Sequence, residues 1–169
     1  VYTQVDFYGG VAPVGRYPAT RNVFHMVAND LAPTTTNQYL EILPAIYGIG
    51  ELESLYLVTT SPGAVEPHWL EVSPWVVVDG TSYFYGGAED VFGNQFYGDQ
   101  FHGRTDEYGI ARYYQSAAPD NTTYWSGYRY FRDTPLVFNW GLSARWQNSS
   151  DPAQTAAKAG SLVVYYTEN

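Results

Sequence analysis

The stretch Trp75-Val76-Val77-Val78-Asp79-Gly80-Thr81-Ser82-Tyr83-Phe84-Tyr85 decides the architecture. An apolar, β-branched run meets Asp-Gly, a dipeptide that accepts two consecutive left-handed residues, and a run rich in aromatic and hydroxyl side chains follows. Residues 75–78 and 82–85 are therefore expected to pair as a hairpin closed by a two-residue turn. Outward from it the same grammar repeats, in short runs of Val, Ile, Tyr, Phe, Trp and Thr bounded by Gly, Pro, Asn or Asp. Further strands are expected near residues 2–8, 22–27, 38–43, 51–59, 69–72, 110–115, 127–132, 142–146 and 161–167. In Glu51-Leu52-Glu53-Ser54-Leu55-Tyr56-Leu57-Val58-Thr59 the residues Leu52, Leu55, Leu57 and Thr59 define a core face, with a slip near Ser54 that signals a bulge.

Gly 16 and Pro 10 interrupt nearly every window before a helix could complete three turns. Only residues 153–159 offer a short helix, with Ser150 or Asp151 as cap and Pro152 at the first helical position. Short strands at regular spacing without intervening helices predict an antiparallel sandwich or barrel, and nothing divides residues 1–169 into two domains. Residues 86–106 break the pattern as a long glycine- and acid-bearing loop, of the kind that tends to serve function or assembly.

The charge balance of Lys+Arg 8 against Asp+Glu 17, formally −9, argues against phosphate backbones and anionic lipid as partners. Apolar runs are too short to cross a membrane as helices, so neither nucleic acid nor membrane insertion is expected. Charged residues make up 15% and aromatics 18%, with Tyr 17 and one lysine, Lys158, a profile that suits strands and an extracellular surface. Cysteine is absent, which removes disulfides, thiol nucleophiles and zinc-thiolate sites together. A start at Val1 without a basic, apolar leader is what a mature secreted product would show, and a trimmed sequence would begin the same way. Asn121-Thr122-Thr123 and Asn148-Ser149-Ser150 are candidate glycosylation sites in turn-like polar segments, against the alternative of chance in an Asn- and Thr-rich chain.

Polar chemistry is densest from Gly86 through Glu89 and Asp90 to Asp99, His102, Arg104, Asp106 and Glu107. These carboxylates could supply the acid/base pair of a glycosidase, which needs two carboxyl groups about 5 to 9.5 Å apart. They could equally give calcium its oxygen ligands through Asp90, Asp99 and Asp106, or simply be solvated acids on a surface loop. His25, His68 and His102 show no metal-ligand spacing, and no nucleophile elbow or phosphate loop is present. The segment Tyr124-Trp125-Ser126-Gly127-Tyr128-Arg129-Tyr130-Phe131 alternates aromatics on a strand, so one set points outward. Trp125 and Tyr128 are accordingly candidates for stacking on carbohydrate, and the same aromatics suit a subunit contact or core packing.

Several segments resemble the DUF2961 family, which includes the fructofuranosidases and difructose-dianhydride synthases of glycoside hydrolase family 172. The likeness lies in Val23-Phe24-His25-Met26, Gly48-Ile49-Gly50-Glu51, Trp69-Leu70-Glu71, Val76-Val77-Val78-Asp79-Gly80, Gly87-Ala88-Glu89-Asp90-Val91-Phe92-Gly93 and Tyr128 through Phe138. It implies a single jelly-roll antiparallel β-sandwich, all-β with long loops and at most one short helix, equivalent to the C-terminal half of the family's double jelly roll. Glu89 matches the glutamate of the family's Thr-Glu-Asp motif, which the resemblance implicates in catalysis, while the threonine is replaced by Ala88. The strand that commonly ends in Glu-His-Gly reads Arg145-Trp146-Gln147-Asn148 here, so the second acid is not matched, and Glu107 and Asp106 are the nearest candidates for it.

The leading expectation is a secreted structural protein that self-assembles into a filament, tube or shell, its partner being itself. Strand and aromatic contacts would hold the assembly, with residues 1–8 and 161–169 free to pair with a neighbour; no cofactor is required and calcium is the candidate ion. The incomplete acid pair points away from an enzyme. The alternatives are a family-172-like glycosidase or carbohydrate-binding module acting on fructosides or arabinosides, and a viral capsid subunit.

Overall fold

The computed structural model describes residues 2–7, 22–62, 68–71, 74–83, 87–92, 108–116, 119, 121–131, 134–149, 156 and 158–168. Eleven strands are present among them: β1 (Tyr2–Phe7), β2 (Asn22–Pro33), β3 (Tyr39–Tyr47), β4 (Gly50–Pro62), β5 (Pro74–Val78), β6 (Thr81–Ser82), β7 (Tyr108–Gln115), β8 (Thr122–Tyr130), β9 (Leu136–Phe138), β10 (Gly141–Gln147) and β11 (Lys158–Glu168). A 3₁₀ turn at His68–Glu71 and a single helical turn, α1 (Ala88–Val91), complete the described elements.

The Asp-Gly hairpin is the tip of the fold. Asp79 and Gly80 both adopt left-handed backbone, with φ of 51° and 79°, and Val78 pairs with Thr81 and Val77 with Ser82. From this tip the chain pairs in nested fashion, β4 with β8, β3 with β10 and β2 with β11, all antiparallel. Folding that long hairpin over itself produces two sheets. The larger has the order β1-β2-β11-β4-β8-β7 with β9 beside the start of β4, and the smaller the order β3-β10-β5-β6. The chain is thus an all-β jelly-roll sandwich, with β1 and β7 added to the edges of the larger sheet.

Alternation along the strands builds the core between the sheets. Leu52, Leu55, Leu57 and Thr59 are all buried, and the slip near Ser54 is real. Val164 pairs with Ser54 while the next residue, Tyr165, pairs with Leu52, so Glu53 is the extra residue of a bulge. At this bulge β4 exchanges neighbours, with β8 ending its ladder at Ser54 and β9 starting at Leu52. Trp69, Trp125, Trp146, Phe92 and Phe138 fill the centre. Gly127 sits where a Cβ would come 2.5 Å from the Trp125 ring and 2.7 Å from that of Phe92, so these two aromatics use the space a side chain would occupy.

Three expectations are corrected. Of the strand expected at residues 69–72, residues 69–71 belong to a 3₁₀ turn instead: Trp69 and Leu70 are consecutive and both fully buried, which a strand's two-faced alternation forbids and a 3₁₀ turn allows; Val72 lies outside the described residues. The end of the expected helix, Lys158 and Ala159, belongs to β11, where ladders to Pro33 and Ala32 on one side and Thr60 and Thr59 on the other override alanine's helical preference; residues 153–155 and 157 lie outside the described residues. Finally, β11 is not free for a neighbour, because it is sandwiched between β2 and β4 in the middle of the larger sheet.

Candidate functional site

Glu89 lies in α1, whose Ala88 and Val91 are buried against the core together with the following Phe92. The Glu89 side chain, Asp99, Asp106 and Glu107 lie outside the described residues, so the expected acid pair and most of the expected calcium ligands do too. The exposed Asp90 accepts a hydrogen bond from the Gly87 N–H at 3.0 Å and so closes the first turn of α1. Among the described residues no group of three metal-capable side chains gathers.

The two expected sugar-stacking residues separate. Trp125 points into the core, 1% exposed, with its ring edge-on to Phe92 at 5.4 Å, so it offers no face to a ligand. Tyr128 points the other way, as alternation requires. The two sequons separate in the same manner. Asn121 is exposed, with left-handed backbone (φ 44°). Asn148 is fully buried: its Nδ2 donates to Thr34 Oγ1, the Thr35 carbonyl and the Ala156 carbonyl, and its Oδ1 accepts from the Ser149 and Ala156 N–H groups. This corrects the expectation of a glycan there, since an amide with every hydrogen-bonding position engaged in the interior is a structural rivet.

Tyr128 belongs to a larger surface, the outward face of the seven-stranded sheet. Phe24 on β2, Leu162, Val164 and Tyr166 on β11, Tyr56 and Val58 on β4, and Tyr124, Tyr128 and Tyr130 on β8 share this face. Val58 is exposed and the rest are half-buried. The Tyr56 hydroxyl donates to that of Tyr130 at 2.6 Å with the rings edge-on, Tyr128 leans on Tyr130 at 5.6 Å, and Phe24 meets Tyr166 edge-on at 5.5 Å.

The outward face of the four-stranded sheet is different in kind. Cross-strand pairing places Glu41, Arg145 and Trp75 in one row over β3, β10 and β5. The Arg145 guanidinium lies 4.8 Å from the Trp75 ring centre and 5.0 Å from that of Tyr39. Tyr39, Glu41 and Arg145 head a trough of about 560 Å³ whose floor includes Ala45, Val77 and Ser143, and a shallower hollow of about 100 Å³ continues it to Tyr47 and Trp140. That far end is held by Asp79, whose carboxylate accepts hydrogen bonds from the backbone N–H groups of Asn139, Trp140 and Gly141 at 2.9 to 3.1 Å. Desolvation raises the Asp79 pKa, but these backbone bonds and one from the Asn139 side chain outweigh it and hold the carboxyl below the ordinary Asp value.

Compared with known proteins, the sequence matches no family model, and no curated protein matches it. The trough residues carry a signal in the sequence: Tyr39-x-Glu41 and Ser143-x-Arg145 alternate polar with apolar positions, as outward strand faces do. Only the pairing of β3 with β10 and of β10 with β5 shows that these segments share a surface.

Proposed function

We propose that the chain is a self-assembling structural protein that works outside the cell, the subunit of a filament, tube or shell. The outward face of the larger sheet carries this reading. Five tyrosines and a phenylalanine lie on it beside Leu162, Val164 and the exposed Val58, and Lys158 is the only lysine in the sequence. Tyrosine enrichment with lysine depletion is the composition of protein interfaces, in contrast to the Lys/Glu mixture of surfaces that stay solvated. Strand β1 adds a second means of contact, because it holds to the body through its ladder with β2 and occupies the edge of the sheet. The likeness of its motifs to the DUF2961 family belongs to the same proposal, as does calcium bound by loop carboxylates.

Negative-stain electron microscopy with size-exclusion chromatography, with and without added calcium, tests the reading. Regular filaments, tubes or shells are expected; a monodisperse monomer under every condition overturns it.

A further inference from the structure

We infer that the trough on the outer face of the four-stranded sheet binds a neutral oligosaccharide, recognised at the Arg145 end through its vicinal hydroxyls. The guanidinium sits over the rings of Trp75 and Tyr39, exposed, and its N–H donors take no hydrogen-bond or ion-pair partner among the described residues. A planar fork of donors is thus left to a ligand. Directly across the ladder stands the exposed carboxylate of Glu41. A donor and an acceptor side by side suit neighbouring hydroxyls, each of which both gives and takes a hydrogen bond.

Charge narrows the ligand class. The Glu41 carboxylate and a formal net charge of −9 both repel an anionic ligand, so a phosphate, sulfate or uronate is disfavoured at the one arginine of this sheet. The floor at Ala45 and Val77 is apolar and low, which accommodates the C–H face of a sugar ring, and Ser143 adds a hydroxyl within it. The volume of about 560 Å³ lies inside the range of about 300–1,000 Å³ common to ligand sites. Four residue steps along the strand take the chain from the row at Trp75 to the turn at Asp79, about 13 Å, and exposed Tyr47 and Trp140 close the far end. A short chain of sugars, with an aromatic group at each end, fits that length better than one ring. A peptide is a poor match, because a sheet face has already spent its backbone N–H and C=O groups in its ladders, whereas an extended peptide docks at an edge.

Isothermal titration calorimetry with cellohexaose, mannohexaose, arabinohexaose and fructan oligosaccharides, beside hexagalacturonate as the anionic comparator, tests the inference. At least one neutral hexasaccharide is expected to bind, with affinity reduced at least tenfold in Arg145→Ala and in Tyr39→Ala at unchanged melting temperature. Both side chains are exposed, so neither replacement threatens the core. Three outcomes overturn the proposal: no binding by any neutral probe, binding that both variants leave intact, or tighter binding of hexagalacturonate. Loss of polymer formation in Arg145→Ala without any sugar binding also overturns it, and assigns the face to contact between copies.

Discussion

Asp79 shows how one carboxylate can fix the shape of a surface several strands wide. It occupies a left-handed turn position and at the same time gathers the three N–H groups of residues 139–141, so the tip of the hairpin and the β9–β10 turn are one unit. Because its pKa is held below the ordinary Asp value, the charged form is the one the fold favours, and its contribution is present above the unfolded pKa and fades as pH falls through the folded one. Asp79→Asn keeps a residue that tolerates the left-handed backbone but removes the charge. Its melting temperature should lie below that of the parent at pH 7, with the gap closing as pH falls below the ordinary Asp value; a gap that is constant with pH contradicts this. Asn148 permits a second test at the same scale. Replacing it with Ala orphans buried groups at Ala156 and Ser149, at a cost of about 3 kcal/mol, which lowers the melting temperature by about 6–12 °C. Expressed in a glycosylating host, the chain should carry at most one N-glycan, at Asn121, and intact mass spectrometry of Asn121→Gln should show none.

Among the elements, the strands and the hairpin at their tip were legible because period-two burial and turn chemistry are local. The Asp-Gly turn and the bulge at Glu53 follow from a few adjacent residues each. What the sequence hid was pairing. β9 is three residues long and exists because β4 needs a partner beyond its bulge, a need invisible in Leu136-Val137-Phe138 itself. The two faces of Trp125 and Tyr128 are legible as opposite, but which of them looks inward depends on the sheet that packs above. The same distinction sets the consequences of truncation. Strand β1 is held by its ladder with β2, whereas β11 is held on both sides. Removing residues 1–7 should leave circular dichroism and melting temperature nearly unchanged while abolishing regular polymers in electron micrographs. Removing residues 161–169 should leave an unfolded chain, with its near-ultraviolet signal lost.

For the whole molecule, the proposed assembly would work against repulsion, since every copy carries the same negative sign. Raising ionic strength from about 10 mM to 150 mM shortens the screening length from about 30 to 8 Å. Sedimentable polymer should therefore increase with salt, and a polymer that dissolves as salt is added would show that cross-copy ion pairs, not tyrosine contacts, hold it. Val58→Lys, at an exposed position on the tyrosine face, should reduce polymer at every salt concentration without lowering stability.

The nested pairing also dictates an order in time. β11 is the last described strand along the chain, yet it fills the gap between β2 and β4, where Asn22 meets Glu168. During synthesis the larger sheet has no centre until those residues have left the ribosome, so its two longest-range ladders, β2 with β11 and β4 with β11, form only after β11 has emerged. Until then the tyrosines of β4 and β8 and those of β11 do not form one surface. Under the proposed function, a chain whose β11 has not yet docked lacks the face by which folded copies recognise one another, and polymerisation waits for that docking.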